Sequence, residues 1–393
     1  MTRIDSDRRR SGGAAPCLPA ALALLASCAA PASGQPPDEL ETWLKELSEA
    51  PGPSGFEEPV AQLFGKFLKP LVDEIVRDNL GGVVGTRRGP EGGPRLLLDA
   101  HLDEIGFLVK RVDEAGYLRF SLLGWNTPHQ LLDRRVVIHT RKGPVPGVIQ
   151  TRPDPPKDKV VARDEMFIDV GSPSKAFTEE TLGIRAGDAV THEATFRRLG
   201  DPKFLLGKAW DDRSGLAVVL GAMKETKGKA LPCTLIASGS VQEEVTLAGA
   251  QVVASLARPD VAITLDIDET CDQPGADPDY ANAALGKGVV VILHTKEMVP
   301  QVRLRDWVLD LAKERGIPVQ PMVEEGGGTD AGPIHKHGLG VPTLDLVIPQ
   351  RYYHSANGVI HRDDVEAAIR LLAAVAERMD RPTLERIRPP QIR

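Results

Sequence analysis

RLLLDAHLDEIGFLVK, residues 95–110, starts as an unbroken apolar run and stops on a histidine followed by two acids. Residues two apart in a strand project to the same face, so His101 and Asp103 share one side and Leu102 and Glu104 the other. Three further runs resemble its first half: TLIASGSVQ (234–242), DVAITLDID (260–268) and PTLDLVIP (342–349). Continuous apolar stretches of this length read as strands buried on both faces, the habit of parallel sheets. Helical patterns lie between and around them, among them PVAQLFGKFLKPLV, SGLAVVLGAMKETK, AGAQVVASLAR, VRLRDWVLDLAKERG and DDVEAAIRLLAAVAERM. Such alternation predicts an α/β fold whose sheet is covered by helices on both faces.

From about residue 107 to 197 that rhythm stops. GFLVKRV, YLRFSLLG, RRVVIHT, GVIQT and MFIDV are short, β-rich and separated by Gly, Pro or Asp turns, which predicts a small β-barrel or sandwich inserted into the α/β domain. The chain then divides into a leader (1–35), a first α/β part (36–106), the insert (107–197) and a second α/β part (198–393). A net charge of −7 and the lack of a basic block in the body argue against a nucleic-acid partner. In the leader, Arg8, Arg9 and Arg10 precede CLPAALALLASCAAPAS, a charged-then-apolar order that suits a secretory signal and is too short to span a bilayer. Leu25-Ala26-Ser27-Cys28 looks like a lipobox, with Cys28 the lipidated residue. Export or lipid anchoring is the expectation. The alternative is an over-long start on a cytoplasmic protein, for which Asp5 and Asp7 speak.

Only Cys233 and Cys271 lie in the body, too few for a disulfide framework or a cysteine-built zinc site. Acids and histidines instead gather at or just after the inferred strand ends: His101 and Asp103, Glu243 and Glu244, Asp266 and His354, with Asp211 and Asp212 just ahead of a helix. The carboxyl ends of strands are where open α/β sheets bind ligands. Taken singly, each has a plain explanation. Asp211 or Asp212 would cap a helix, Glu243 and Glu244 would sit at a helix N-terminus, and His354 would be a loop histidine. Taken together, the carboxylates would repel one another without a cation. Imidazole with carboxylate suits zinc, cobalt or manganese.

The segments GPSGFEEPV, AHLDEIGF, KAWDDRSG, QEEVTLAGA, LDIDETCDQPG, EGGGTDAGPIH and IPQRYYHSANG occur in the order and context of the glutamyl and tetrahedral aminopeptidases. That family consists of dinuclear metallopeptidases, some of which were once labelled cellulases. The resemblance covers roughly residues 40–380. It implies a zinc-exopeptidase-like core, with a mixed, mostly parallel sheet sandwiched by helices. It also implies that the inserted barrel serves dimerisation, within a homo-oligomer reaching as far as a dodecamer.

By the same resemblance, two divalent metal ions per subunit, zinc or cobalt with manganese as the alternative, would be held by His101, Asp211, Glu244, Asp266 and His354. Asp211 would bridge them. Glu243 would be the general base, Asp103 would orient the His101 ring, and the Asp211–Asp212 peptide bond would be cis. The implied activity is removal of the N-terminal residue from short peptides by a metal-activated hydroxide. The alternatives are a related carboxypeptidase, deacylase or glucanase, or a non-catalytic metal-containing binding lipoprotein. Thr246 stands where the family usually has glycine, and Ala248 where it often has a basic residue, so pocket shape is open. Arg351 and Tyr352 are further candidates for the cleft wall.

Overall fold

Apolar runs bounded by Pro and Gly become a stack of strands whose carboxyl ends share one edge. The computed structural model describes residues 36–155, 159–277 and 283–390. The leader, Cys28 included, lies outside the described residues. In chain order the strands are β1 (Glu74–Arg77), β2 (Val83–Arg87), β3 (Arg95–His101), β4 (Gly106–Val112), β5 (Leu118–Leu123), β6 (Arg135–Thr140), β7 (Gly143–Gln150), β8 (Phe167–Asp169) and β9 (Ala189–His192). They continue as β10 (Arg197–Arg198), β11 (Phe204–Gly207), β12 (Thr234–Ser240), β13 (Val261–Glu269), β14 (Val289–His294), β15 (Val319–Val323), β16 (Thr343–Arg351) and β17 (Gly358–His361).

The main sheet has 11 strands, with the path β1-β2-β12-β3-β13-β16-β17-β11-β10, with β14 also pairing with β16 and β15 pairing with β14. Its centre is the four runs read from the sequence, and β12, β3, β13 and β16 are mutually parallel. Antiparallel strands flank them, so the sheet is mixed and mostly parallel at its heart. In β3 the pleat divides the leucines between two layers. Leu96, Leu98 and Ala100 enter the larger core, shared with the helices Glu58–Leu68, Trp210–Glu225 and Arg362–Arg378. Leu97 enters the smaller core against the helix Ala248–Ala257. A strand covered on both faces has no use for polar alternation, which is why β3 reads as a continuous apolar run.

Strands β4, β5, β8, β7, β6 and β9 close into a six-stranded barrel between β3 and β10. Its own core, led by Phe107, Leu118, Val136, Ile138, Ile149, Ile168 and Val190, is separate from the cores of the main sheet. His192 is a polar exception within it, set edge-on to Phe107 with ring centroids 5.1 Å apart. Neither ring nitrogen has a hydrogen-bond partner among the described residues. Burial depresses its pKa to about 4, partly offset by the Glu104 carboxylate and reinforced by Lys208 and Arg134.

Because that folded value lies below the unfolded one, the unfolded chain alone gains a proton as pH falls through about 6.5, and stability drains away down to about 4. The loss amounts to roughly 3 kcal/mol. His192→Leu is therefore expected to flatten the fall of the urea unfolding midpoint between pH 6.5 and 4. The wild type should show the full slope.

Candidate metal centre

Register brings the first two donors together. Thr264 of β13 pairs with Asp99 of β3, and two residues further along each strand stand Asp266 and His101. Asp266 does not end its strand: β13 runs on to Glu269 along β16, while β3 stops at His101. The longer neighbour forms one wall of a crevice at the point where β3 turns away. The approach to Asp211 is held by a buried ion pair, Lys208 Nζ to Glu104 Oε2 at 2.6 Å. Glu104 lies three residues past His101 and Lys208 three before Asp211, so this pair clamps both segments that meet at the crevice.

Asp211 and Asp212 divide the two roles that the sequence left open. Asp212 Oδ1 accepts the Gly215 N–H at 3.0 Å, which caps the helix, and its other oxygen accepts the His101 N–H at 3.3 Å. The Asp211–Asp212 peptide bond is cis. Asp211 turns toward the crevice, with one oxygen 2.8 Å from His101 Nε2 and the other 3.0 Å from His354 Nε2. His354 is also 3.5 Å from Glu244 Oε2.

Two groups of donors result, His101–Asp211–Asp266 and Asp211–Glu244–His354, each with its ligand atoms within 4.8 Å of one another. Asp211 belongs to both. Glu243 belongs to neither, although its carboxylate reaches within 3.9 Å of His101 Nε2. All six residues named from the sequence as ligands or base thus meet in one crevice.

Asp103 does more than the sequence suggests and one thing less well. Its Oδ1 is 3.4 Å from His101 Nδ1, and the ring nitrogen still lacks a well-aligned hydrogen bond, so this is a charge contact. Its firm bonds go elsewhere: Asp103 accepts the Ser54 hydroxyl at 2.6 Å and the Glu243 and Glu244 N–H groups at 3.0 and 3.2 Å. One carboxylate therefore holds the backbone that presents both glutamates. Gln242, Ala209 and His354, all beside or at donor positions, have left-handed backbones at φ 58°, 53° and 49°. Strained residues of this sort concentrate where surrounding structure imposes a geometry for function.

The electrostatics ask for a cation. Burial would lower the His101 pKa, but Asp103 and Asp211 outweigh it and raise it well above the usual value. Burial pushes up the carboxyls of Glu243, Glu244 and Asp266, with Asp211 adding to the repulsion in each case. Asp211 itself is held low against its burial by the two histidines. Glu244 Oε1 is buried with no hydrogen-bond partner. Two histidines and three carboxylates, one of them with an orphaned oxygen, fit divalent cations, and without thiolates they suit zinc, cobalt or manganese.

The family model for M42 glutamyl aminopeptidases matches residues 81–371. The chain belongs to that family. A lysyl aminopeptidase from Pyrococcus furiosus is 32% identical to this M42 chain, over 86% of it and 96% of the relative. A TET aminopeptidase from a marine sediment archaeon of the Thaumarchaeota superposes with TM-score 0.87 at 38% identity, covering 89% of this chain and 99% of the other. The Pyrococcus horikoshii TET1 peptidase, which assembles into a tetrahedron or a large octahedral shell, gives 0.78 at 29% identity over 86% and 99%.

The centre opens into a cleft of about 430 Å³. Its wall corrects one expectation for the M42 chain. Arg351 is turned away in a two-pronged pair with Asp272, and Tyr352 is not part of the wall. Tyr353 is, stacked on His354 with ring centroids 3.7 Å apart. Trp125, Asp268, Glu297 and Glu324 also line it and were not foreseen. Trp125 comes from the segment after β5, and nothing local in the sequence marks that segment as reaching the sheet edge. Thr246, at the position usually glycine in the family, stands on the same wall.

If Asp103 anchors the glutamate segment, Asp103→Ala should cost roughly 2–3 kcal/mol by orphaning several donors, whereas Ser54→Ala should cost about 1. Chemical denaturation of the two variants checks the order. Equal losses would contradict it.

Proposed function

We propose that this M42 chain is a metal-dependent aminopeptidase that removes the N-terminal residue of short peptides at a dinuclear centre. What supports the reading most is the sharing of Asp211 between two donor groups while Glu243 stands beside them and in neither. His101 and Asp266 would hold one ion, Glu244 and His354 the other, and Asp211 both. Two divalent ions, when bound, lower the pKa of water from ~15.7 to about 7 and polarise a carbonyl.

The remaining work falls to the chain. Glu243 takes a proton from the attacking water and hands it to the departing amine, so one water is consumed and an amino acid and a shortened peptide are released. Its buried position raises its affinity for the proton, as that relay requires. Asp103 fixes where the relay stands through the Glu243 N–H. Tyr353, packed on His354, shields that ligand from solvent. The glucanase alternative is weaker, because glycosidases flank the sugar with two carboxyl groups and do not require imidazole donors. We take the protein to be a homo-oligomer, which the TET1 assembly supports, and to be built on dimers formed through the barrel.

Glu243→Gln should lower kcat on aminoacyl anilides by about 100-fold or more while leaving bound metal unchanged. A chelator should abolish activity, and added zinc or cobalt should restore it. N-blocked anilides should not be hydrolysed, and their turnover at the unblocked rate would refute the aminopeptidase reading.

A further inference from the structure

The cleft carries more acid than the metal centre uses. Asp268, Glu297 and Glu324 lie on its wall beyond the donor groups, and among the described residues no lysine or arginine lines it. Asp268 Oδ1 accepts the Glu269 N–H at 2.6 Å, while its Oδ2 is buried with no partner. Glu324 makes no ion pair among the described residues. Glu297 is 3.3 Å from Lys336, whose side chain is 59% exposed.

Burial and the repulsion of Asp268 and Asp345 raise the Glu324 pKa to about 8, so this wall stores charge conflict that a cation relieves. The glycine-rich turn keeps both glutamates uncovered. A Cβ on Gly327 would fall 2.5 Å from Glu324 Oε1, and one on Gly328 would fall 2.9 Å from Glu297 Cγ. Trp125 and Tyr353, also on the wall, offer apolar surface on which a methylene stem can lie with its charged end free.

We propose that this acidic wall binds a cationic side chain, so that peptides beginning with lysine or arginine are the preferred substrates. The inference rests on the aminopeptidase reading for its chemistry but not for its binding. The carboxylates of Asp211, Glu244 and Asp266 would be balanced by metal, whereas Glu324 and Asp268 have no cationic partner among the described residues and Glu297 has only the half-exposed Lys336. An N-terminal glutamate would add a like charge to the wall and be disfavoured. The family name does not decide the matter, since it is glutamyl and a relative is lysyl.

The test compares lysyl, arginyl, norleucyl and glutamyl anilides on the zinc-loaded protein. In parallel, calorimetry measures binding of lysinamide and norleucinamide. Lysine and norleucine differ only in the terminal charge, so both present the same α-amine. Lysyl should exceed norleucyl by about tenfold or more in kcat/KM, lysinamide should bind correspondingly tighter, and glutamyl should be slowest. Glu324→Gln and Glu297→Gln should each raise KM for lysyl substrate and lower the lysyl-to-norleucyl ratio of kcat/KM. Equal lysyl and norleucyl constants would mean that the acids serve the α-amine alone and would overturn the proposal. So would a lysyl-to-norleucyl ratio unchanged in both variants. Selective binding of lysinamide without hydrolysis of any anilide would sink the aminopeptidase reading and leave the cationic pocket standing.

Discussion

Asp211 offers one carboxylate oxygen to each of two buried histidines, and the rest of the crevice is arranged around that division. A buried carboxylate placed between two imidazoles would be a stable end point if nothing else were near. Here Glu243, Glu244 and Asp266 crowd the same space, and the Asp211 carboxylate adds to the cost that burial sets on ionising each of them. Such crowding destabilises the folded chain unless positive charge is supplied. The centre is therefore a place where a bound cation would stabilise the folded chain.

Holding that arrangement takes structure beyond the donors. The buried Glu104–Lys208 pair clamps the segments leading from His101 and into Asp211, and Arg213 secures the same region by donating to the Leu47 and Ala50 carbonyls at 2.6 and 2.8 Å. Removing one partner from a buried pair typically costs 3–5 kcal/mol. Asp103 does the equivalent for the glutamates. The donors come from separate elements, so position is maintained by a shell of charge-assisted hydrogen bonds and not by any one loop.

Much of this was legible in the sequence because it is local. Leu96 to Leu98 announce a strand covered on both faces, and the pleat assigns His101 and Asp103 to one side. What was not legible depends on registry between distant strands. Asp266 reads as a strand end because the apolar run stops there, yet β13 continues along β16 through Asp268 and Glu269. Pairing partners, not side-chain pattern, decide where a strand stops. Asp211 and Asp212 are identical by type, and only the backbone between them determines which caps the helix and which faces the crevice. Trp125 and Glu324 arrive at the cleft from segments 199 residues apart; nothing near Trp125 points there, whereas Glu324 directly precedes the quoted EGGGTDAGPIH. Tyr353, next to a recognisable ligand, could have been chosen over Arg351 had the salt bridge to Asp272 been foreseen.

The account turns on Asp211 serving two ions at once. Counting zinc per subunit after equilibrium dialysis, in wild type and in Asp211→Asn, tests it most directly. Two ions in the wild type and fewer than one in the variant are the predicted result. A single ion in the wild type, or an undiminished count in the variant, would contradict it.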